Sequence, residues 1–294
     1  MFTRDSPSAP ASTTARAFSA TSQVAGESFA YRGFRVAARA ACTSSADASG
    51  ASSTFGHERF NSIGLQNPGI EAFLEHVLPR LGALGVPLWV SVGGFSAADY
   101  ASTCELLDGR DEVTAIELNL SCPNVEEAPE ASAELVQAAR AATRKPLYAK
   151  LSPATWDIAE NARAVVDAGA DGLSLVNTIR GLALDPRTGA PRLGRGAGGY
   201  SGPALKPIAL ACIHACASAV SVPIVGMGGI ASGADAKEFS SVGASAVALG
   251  TVLFSDPAAP SRVRRELGEA VGVAEDAGAG AGTQDRPRPA RSVV

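Results

Sequence analysis

Between residues 70 and 249, six short apolar runs alternate with six amphipathic stretches, and no other feature of the chain restricts its fold so strongly. The apolar runs are Val86–Val92, Thr114–Leu120, Pro146–Leu151, Gly172–Val176, Val222–Val225 and Ala246–Leu249, each bounded by turn residues. The stretches Ile70–Leu81, Ala97–Leu107, Ser132–Ala142, Ile158–Ala168, Leu205–Ala217 and Gly233–Val242 carry apolar residues at i, i+3 and i+4 and read as helices. Gly85, Gly169 and Gly243 stand where helix C-caps are expected. Strand and helix repeated at such short spacing imply a parallel sheet. An open doubly wound sheet concentrates its polar motifs at one switch point, whereas here they follow nearly every strand. The expectation is therefore an α/β fold, a TIM-type (β/α)8 barrel with its site at the C-terminal strand ends.

A chain of 294 residues that is 46% hydrophobic can bury one substantial core, built largely of Ala, Val, Leu and Ile because aromatics are only 5%. The net charge of -4 and a pI near 5.5 leave no basic footprint for nucleic acid. No apolar run approaches the roughly 18 residues of a membrane span. Five scattered cysteines without a Cys-x-x-Cys pair argue against a disulfide framework or a zinc site, so no metal is expected. Cys42, Cys104, Cys212 and Cys216 read as small buried hydrophobes. Three segments are expected: a disordered or divergent N-terminus over 1–50, a barrel over 51–270, and a Gly/Ala/Pro-rich disordered tail over 271–294. The N-terminal segment is Arg- and Ser-rich and acid-poor, as organelle transit segments are. The plainer reading, disorder or divergence in a cytoplasmic protein, is preferred.

The strand ends carry the chemistry. Asn119-Leu120-Ser121-Cys122-Pro123-Asn124 places two amides, a hydroxyl and a thiol together, and Lys150 and Asn177-Thr178 follow at the next two strands. Lys150 in an apolar strand is expensive to bury unpaired, so it either reaches solvent or stabilises negative charge on a cofactor such as a reduced flavin. Asn61, Asn119 and Asn177 each offer a donor and an acceptor, which suits a planar imide or amide ring, although a single strand-end Asn is usually a cap. Gly226-Met227-Gly228-Gly229-Ile230 and Leu249-Gly250-Thr251 end the last two strands. Glycines at such junctions let backbone N–H groups face an anion, aided by the helix N-terminus, though one such turn alone need mark no ligand. Neither of these two glycine turns carries the dinucleotide G-x-G-x-x-G pattern, which favours a mononucleotide over bound NAD.

Together these strings resemble the class 1 dihydroorotate dehydrogenases, FMN enzymes of pyrimidine (UMP) synthesis, from about Ala51 to Leu267. Asn61-Ser62-Ile63-Gly64-Leu65-Gln66-Asn67-Pro68-Gly69 resembles the substrate loop of the 1B subclass, Glu117–Asn124 the catalytic loop, and Ser201-Gly202-Pro203-Ala204-Leu205-Lys206-Pro207 a flavin-side loop. The resemblance implies that Cys122 is the base that takes a proton from C5 of dihydroorotate while hydride passes from C6 to the flavin. It implies FMN contacts from Ser53, Ser91, Asn119, Lys150, Val176, Gly202, Gly228, Gly229, Gly250 and Thr251. It implies orotate contacts from Asn61, Ser62, Ile63, Gly64, Leu65, Asn119, Asn177 and Thr178. As a partner it implies a separate FAD and iron–sulfur subunit, within a homodimer or heterotetramer.

One departure bears on activity. The family follows the turn at Ala51–Gly56 with a helix, a second strand ending in a lysine, and a long loop. Here only His57, Glu58, Arg59 and Phe60 precede Asn61, and the first of the chain's four lysines is Lys145. The barrel is therefore expected to be incomplete near its N-terminus, with two open edges. Phe34–Ala38 is too polar to make a convincing first strand, and Arg59 or His57 are weak substitutes for the lysine. Three readings stay open: an active dihydroorotate dehydrogenase, a dihydropyrimidine dehydrogenase-like FMN reductase, and a truncated inactive barrel.

Overall fold

The computed structural model describes residues 18–23, 35–41, 53–55, 58–61, 67–121, 129–155, 157–194 and 196–278. Strands β1 (Phe18–Gln23), β2 (Arg35–Ala41), β3 (Ser53–Phe55) and β4 (Glu58–Asn61) come first. Helix α1 (Ile70–Ala72) continues through a π turn at Phe73–Val77 into α2 (Leu78–Gly82). The regular alternation then begins with β5 (Leu88–Val92), α3 (Ala97–Asp108), β6 (Val113–Asn119), α4 (Pro129–Ala142), β7 (Leu147–Leu151), α5 (Ile158–Asp167) and β8 (Gly172–Leu175). A hairpin of β9 (Ile179–Leu182) and β10 (Ala197–Ser201) interrupts it. It resumes with α6 (Lys206–Ala219), β11 (Ile224–Met227), α7 (Gly233–Ser241), β12 (Ala246–Leu249) and α8 (Ala259–Gly278).

Eight strands close into a barrel in the order β1-β2-β12-β11-β8-β7-β6-β5. The six strands expected from the alternation form a continuous parallel wall. The repeat does break near the N-terminus, as expected, but the predicted open edges are filled. Strand β2 adds parallel to β12, and β1 runs antiparallel to both β2 and β5. Residues 18–23 and 35–41 thus belong to the ring, upstream of the expected barrel start at residue 51. Arg35 and Arg39 hid β2, because pairing to a sheet edge needs backbone groups rather than an unbroken apolar run. The last helix likewise reaches Gly278, beyond the expected barrel end at 270.

Helix starts follow local chemistry. Ser96 accepts from the Asp99 N–H ahead of α3, and Asp157 accepts from Ala159 and Glu160 N–H ahead of α5. Ser232 and Asp235 form a reciprocal capping box on α7. Each such cap is worth about 1 kcal/mol. Gly85, Gly169 and Gly243 all have positive φ, as their expected C-cap positions require.

Alternation along each strand separates two cores. Val90, Ile116, Leu118, Leu147, Leu173 and Val247 face the helices and pack with Tyr100, Val136, Val165, Ile213 and Phe239. The alternate positions form a smaller cluster of Val225, Met227 and Ala248 with Trp89, Tyr148 and Ala246, which plugs the barrel interior. Trp89 and Tyr148 rings lie 4.3 Å apart there. Ser91, Glu117, Lys150 and Ser174 occupy the same inward register and are all buried, so a polar layer lies in the barrel beside the apolar plug.

The second sheet was not expected from the sequence. Strands β3-β4-β10-β9 form a four-stranded antiparallel sheet beside the barrel. Asn61 pairs with Gly199 and Tyr200 with Phe60, whose rings lie 4.6 Å apart. The Thr251 hydroxyl donates to Ser201 Oγ at 2.9 Å, tying β10 to the turn that follows β12.

Candidate active site

Segments after three barrel strands, one residue of a fourth strand and the end of β10 converge on one cavity of about 330 Å3. Lys150 comes from β7, Val176, Asn177 and Thr178 from the segment after β8, and Ser201 and Gly202 from the end of β10. Gly228, Gly229 and Ile230 follow β11, and Gly250 and Thr251 follow β12. The volume falls in the range of small-molecule sites, and the wall is mainly apolar with a few convergent polar groups.

Lys150 is only 8% exposed, and its ammonium lies 3.9 Å from the Glu117 carboxylate. Ser91 donates to the same carboxylate at 2.9 Å. Asn119 and Asn177 meet: the Asn177 amide donates to Asn119 Oδ1 at 3.0 Å, and Asn177 Oδ1 accepts from the Thr178 N–H. The Tyr100 hydroxyl donates to the Asn119 carbonyl at 2.6 Å, fixing the end of β6 from the helix layer.

At the other end Gly228 and Gly229 have φ of 115° and 79°, a region that disfavours any other residue. A Cβ on Gly229 would lie 2.8 Å from the Gly202 carbonyl and 2.9 Å from Lys206 N, so two backbones touch there. The α7 start differs from the expectation of a free anion-binding helix end. Asp235 already accepts from Ala231 and Ser232 N–H, and Glu266 from Gly233 N–H. Carboxylates of the chain itself fill the end of α7, which leaves the glycine turn ahead of it to face the cavity. Lys206, from the flavin-side string, locks α6 to α7 by donating to Asp235 and Glu238. These carboxylates hold its ammonium above the usual lysine range.

A family model of dihydroorotate dehydrogenase matches residues 52–271. The chain belongs to the dihydroorotate dehydrogenase family. It is 46% identical over 204 residues to the dihydroorotate dehydrogenase B (NAD+) catalytic subunit of Halalkalibacterium halodurans, covering 67% of each chain. The correspondingly named subunits of Geobacter metallireducens and Geobacter sulfurreducens are each 46% identical over 214 residues, covering 70% of each chain.

Of the residues that the family resemblance singled out, Lys150, Val176, Asn177, Thr178, Gly202, Gly228, Gly229, Gly250 and Thr251 line the one cavity. Asn119 joins them through Asn177. Ser91 is placed differently: it is buried in the barrel against Glu117 and does not line the cavity. Asn61 is half-buried in β4, and Ser53 belongs to β3. Cys122, Ser62, Ile63, Gly64 and Leu65 lie outside the described residues. Of the cysteines read as structural, Cys104 and Cys216 are buried and Cys212 half-buried. Burial pushes the Cys104 and Cys216 thiols up to about 12, which leaves them inert. Cys42 is outside the described residues.

The sequence reading missed Arg262, which lines the cavity while donating to Asp256, Glu266 and the Ala231 carbonyl. It sits in a helix with two other arginines, Arg264 and Arg265, and spacing alone does not choose between them. Tyr100 was equally hidden inside an ordinary amphipathic helix.

Proposed function

We propose that this chain oxidises dihydroorotate to orotate with FMN in pyrimidine biosynthesis, as a 1B-type catalytic subunit. The observation that carries the reading is one cavity lined by both a buried lysine and two glycine turns, with paired asparagines beside the lysine. Those features fit FMN. Open space lies where a Cβ would stand on Gly250, and the positive-φ turn at Gly228 and Gly229, packed on Leu205, Gly202 and Lys206, lines the same cavity, which suits a phosphate against backbone N–H groups. Thr251 and Gly202 complete that end, and the Val176 backbone lies along the wall. FMN, when bound, supplies the acceptor for the hydride that leaves C6 of the substrate.

The chain's own residues do the rest. Lys150 places a positive charge where electron density accumulates. Asn119, Asn177 and Thr178 orient the planar substrate through donor and acceptor groups, joined by Asn61 and the segment Ser62, Ile63, Gly64 and Leu65. Cys122, as thiolate, takes the C5 proton and so leaves the double bond of orotate between C5 and C6. The names of the relatives, which specify a catalytic subunit and NAD+, support a partner subunit that carries electrons onward, and the family resemblance implies that it holds FAD and an iron–sulfur centre.

The test is direct. The purified chain is expected to carry a flavin spectrum and to bleach when dihydroorotate is added without oxygen. Cys122→Ala is expected to keep the flavin and lose the bleaching. A colourless protein, or bleaching that survives Cys122→Ala, would refute the reading or the role of Cys122 respectively.

A further inference from the structure

The charged layer inside the barrel holds more than the binding of a flavin requires. Glu117 is 4% exposed and faces inward from β6, opposite Ser91 on β5. Its carboxylate accepts the Ser91 hydroxyl at 2.9 Å and stands 3.9 Å from the Lys150 ammonium. On the other side of Lys150, its cross-strand neighbour Ser174 is fully buried, and its hydroxyl has no hydrogen-bond partner. A barrel interior filled by packing alone would be apolar at these positions, as it is at Trp89, Tyr148 and Val225. Burying a carboxylate, an ammonium and an orphan hydroxyl side by side opposes stability, since a well-packed apolar set is often as good or better. That expense points to a use at the cavity, which Lys150 alone of the four lines.

We infer that Glu117 is a positioning residue that acts through Lys150, holding the ammonium at the cavity and damping the positive charge it presents to the flavin. The inference rests on the FMN reading above. The Lys206 and Arg262 cations have their own carboxylates, Asp235 with Glu238 and Asp256 with Glu266. Lys150 is thus the cation whose effect on the ring Glu117 controls. Close pairing of opposite charges in a poorly screened site strongly reduces the field either one projects. Glu117→Gln keeps the shape and an acceptor for Lys150 but removes the opposing charge. An anionic adduct of the flavin then meets an undamped ammonium.

Sulfite binding reports this without turnover, because the adduct carries negative charge on the flavin and bleaches its visible band. Four FMN-loaded proteins are compared: wild type, Glu117→Gln, Lys150→Met and the double variant. Glu117→Gln is expected to tighten sulfite binding by about tenfold, the scale of one pKa unit of differential interaction. In the Lys150→Met background the same substitution is expected to be silent, because coupled residues are non-additive and the effect passes through the lysine. Glu117→Asp keeps a charge but withdraws it by one methylene. It is expected to give an intermediate tightening, and it keeps the comparison readable if the amide variant does not fold. Unchanged or weaker sulfite binding in these variants, or equal tightening with and without Lys150, overturns the assignment while leaving the FMN reading intact. A wild-type chain that takes no FMN overturns both.

Discussion

Tyr100→Phe removes one hydroxyl and nothing else, and so isolates the bond that anchors the end of β6. Tyr100 is fully buried, and its hydroxyl donates to the Asn119 carbonyl at 2.6 Å, where β6 ends. A neutral hydrogen bond contributes about 1 kcal/mol net, and leaving a buried acceptor unpaired costs about 1–3 kcal/mol. Asn119 is only half-buried, so water reaches the carbonyl in part and the low end applies. The expected loss is about 1–2 kcal/mol, read as a lower urea midpoint with an unchanged slope. For a chain of this size that corresponds to a melting temperature lower by roughly 2–6 °C. Because Asn119 also accepts from the Asn177 amide, substrate affinity is expected to weaken in the same variant while FMN stays bound. A variant with wild-type stability and wild-type substrate affinity would refute the claim that the helix layer positions Asn119.

Two further outcomes follow from the glycine end of the cavity. Gly229→Ala places a Cβ at a φ of 79° and within 2.9 Å of backbone atoms of Gly202 and Lys206. Strain of about 1–3 kcal/mol is expected before any displacement, and FMN affinity should fall at least about tenfold in a fluorescence titration. Wild-type affinity there would show that the turn does not hold the ligand. Acid should loosen the same end. Burial pushes the Asp235 carboxyl up, but the Lys206 ammonium, the Ala231 N–H and the Ser232 hydroxyl outweigh it and hold it below its ordinary 3.8. The Arg262 guanidinium and the Gly233 N–H hold Glu266 below 4.5. Groups with lowered folded-state pKa contribute stability above their unfolded value and lose it as pH falls through the folded one. FMN retention is expected to be flat down to about pH 5 and to fail below about pH 4, and release above about pH 5 would contradict this.

The sequence showed the parallel wall clearly because each of its strands is a short, largely apolar run between turn residues, and each helix repeats its apolar face. Pairing along an edge leaves no such trace. Strand β10 is Ala197-Gly198-Gly199-Tyr200-Ser201, which reads as a loop until the chain is seen against Asn61 and Arg180. The site was legible where short strings fixed it, at Lys150, Asn177 and the glycine turns. The supporting partners were not. Glu117 stood in a quoted motif without a role, since its meaning depends on Ser91 and Lys150 being one strand away on either side. Arg262 and Tyr100 belong to helices, where the residue facing the barrel rim is chosen by packing rather than by spacing.

The lysine that the family carries on its second strand has no stand-in at Arg59, and that can be tested in isolation. The Arg59 guanidinium lies 4.3 Å over the ring of Phe254, and neither residue lines the cavity. The Ser201 hydroxyl contacts Arg59 through its backbone carbonyl, a contact that survives loss of the side chain. A cation over a ring that is 57% exposed is worth about 0.5–1 kcal/mol, so Arg59→Ala should cost no more than that in stability. FMN affinity is expected to stay within about twofold of wild type, whereas Lys150→Met should lower it by about tenfold or more, since Lys150 lines the cavity and Arg59 does not. Loss of flavin or of dihydroorotate-dependent bleaching in Arg59→Ala would place its charge at the reaction after all. Retention in Arg59→Ala with loss in Lys150→Met would mean that one lysine, set by Glu117, suffices where the family's pattern has two.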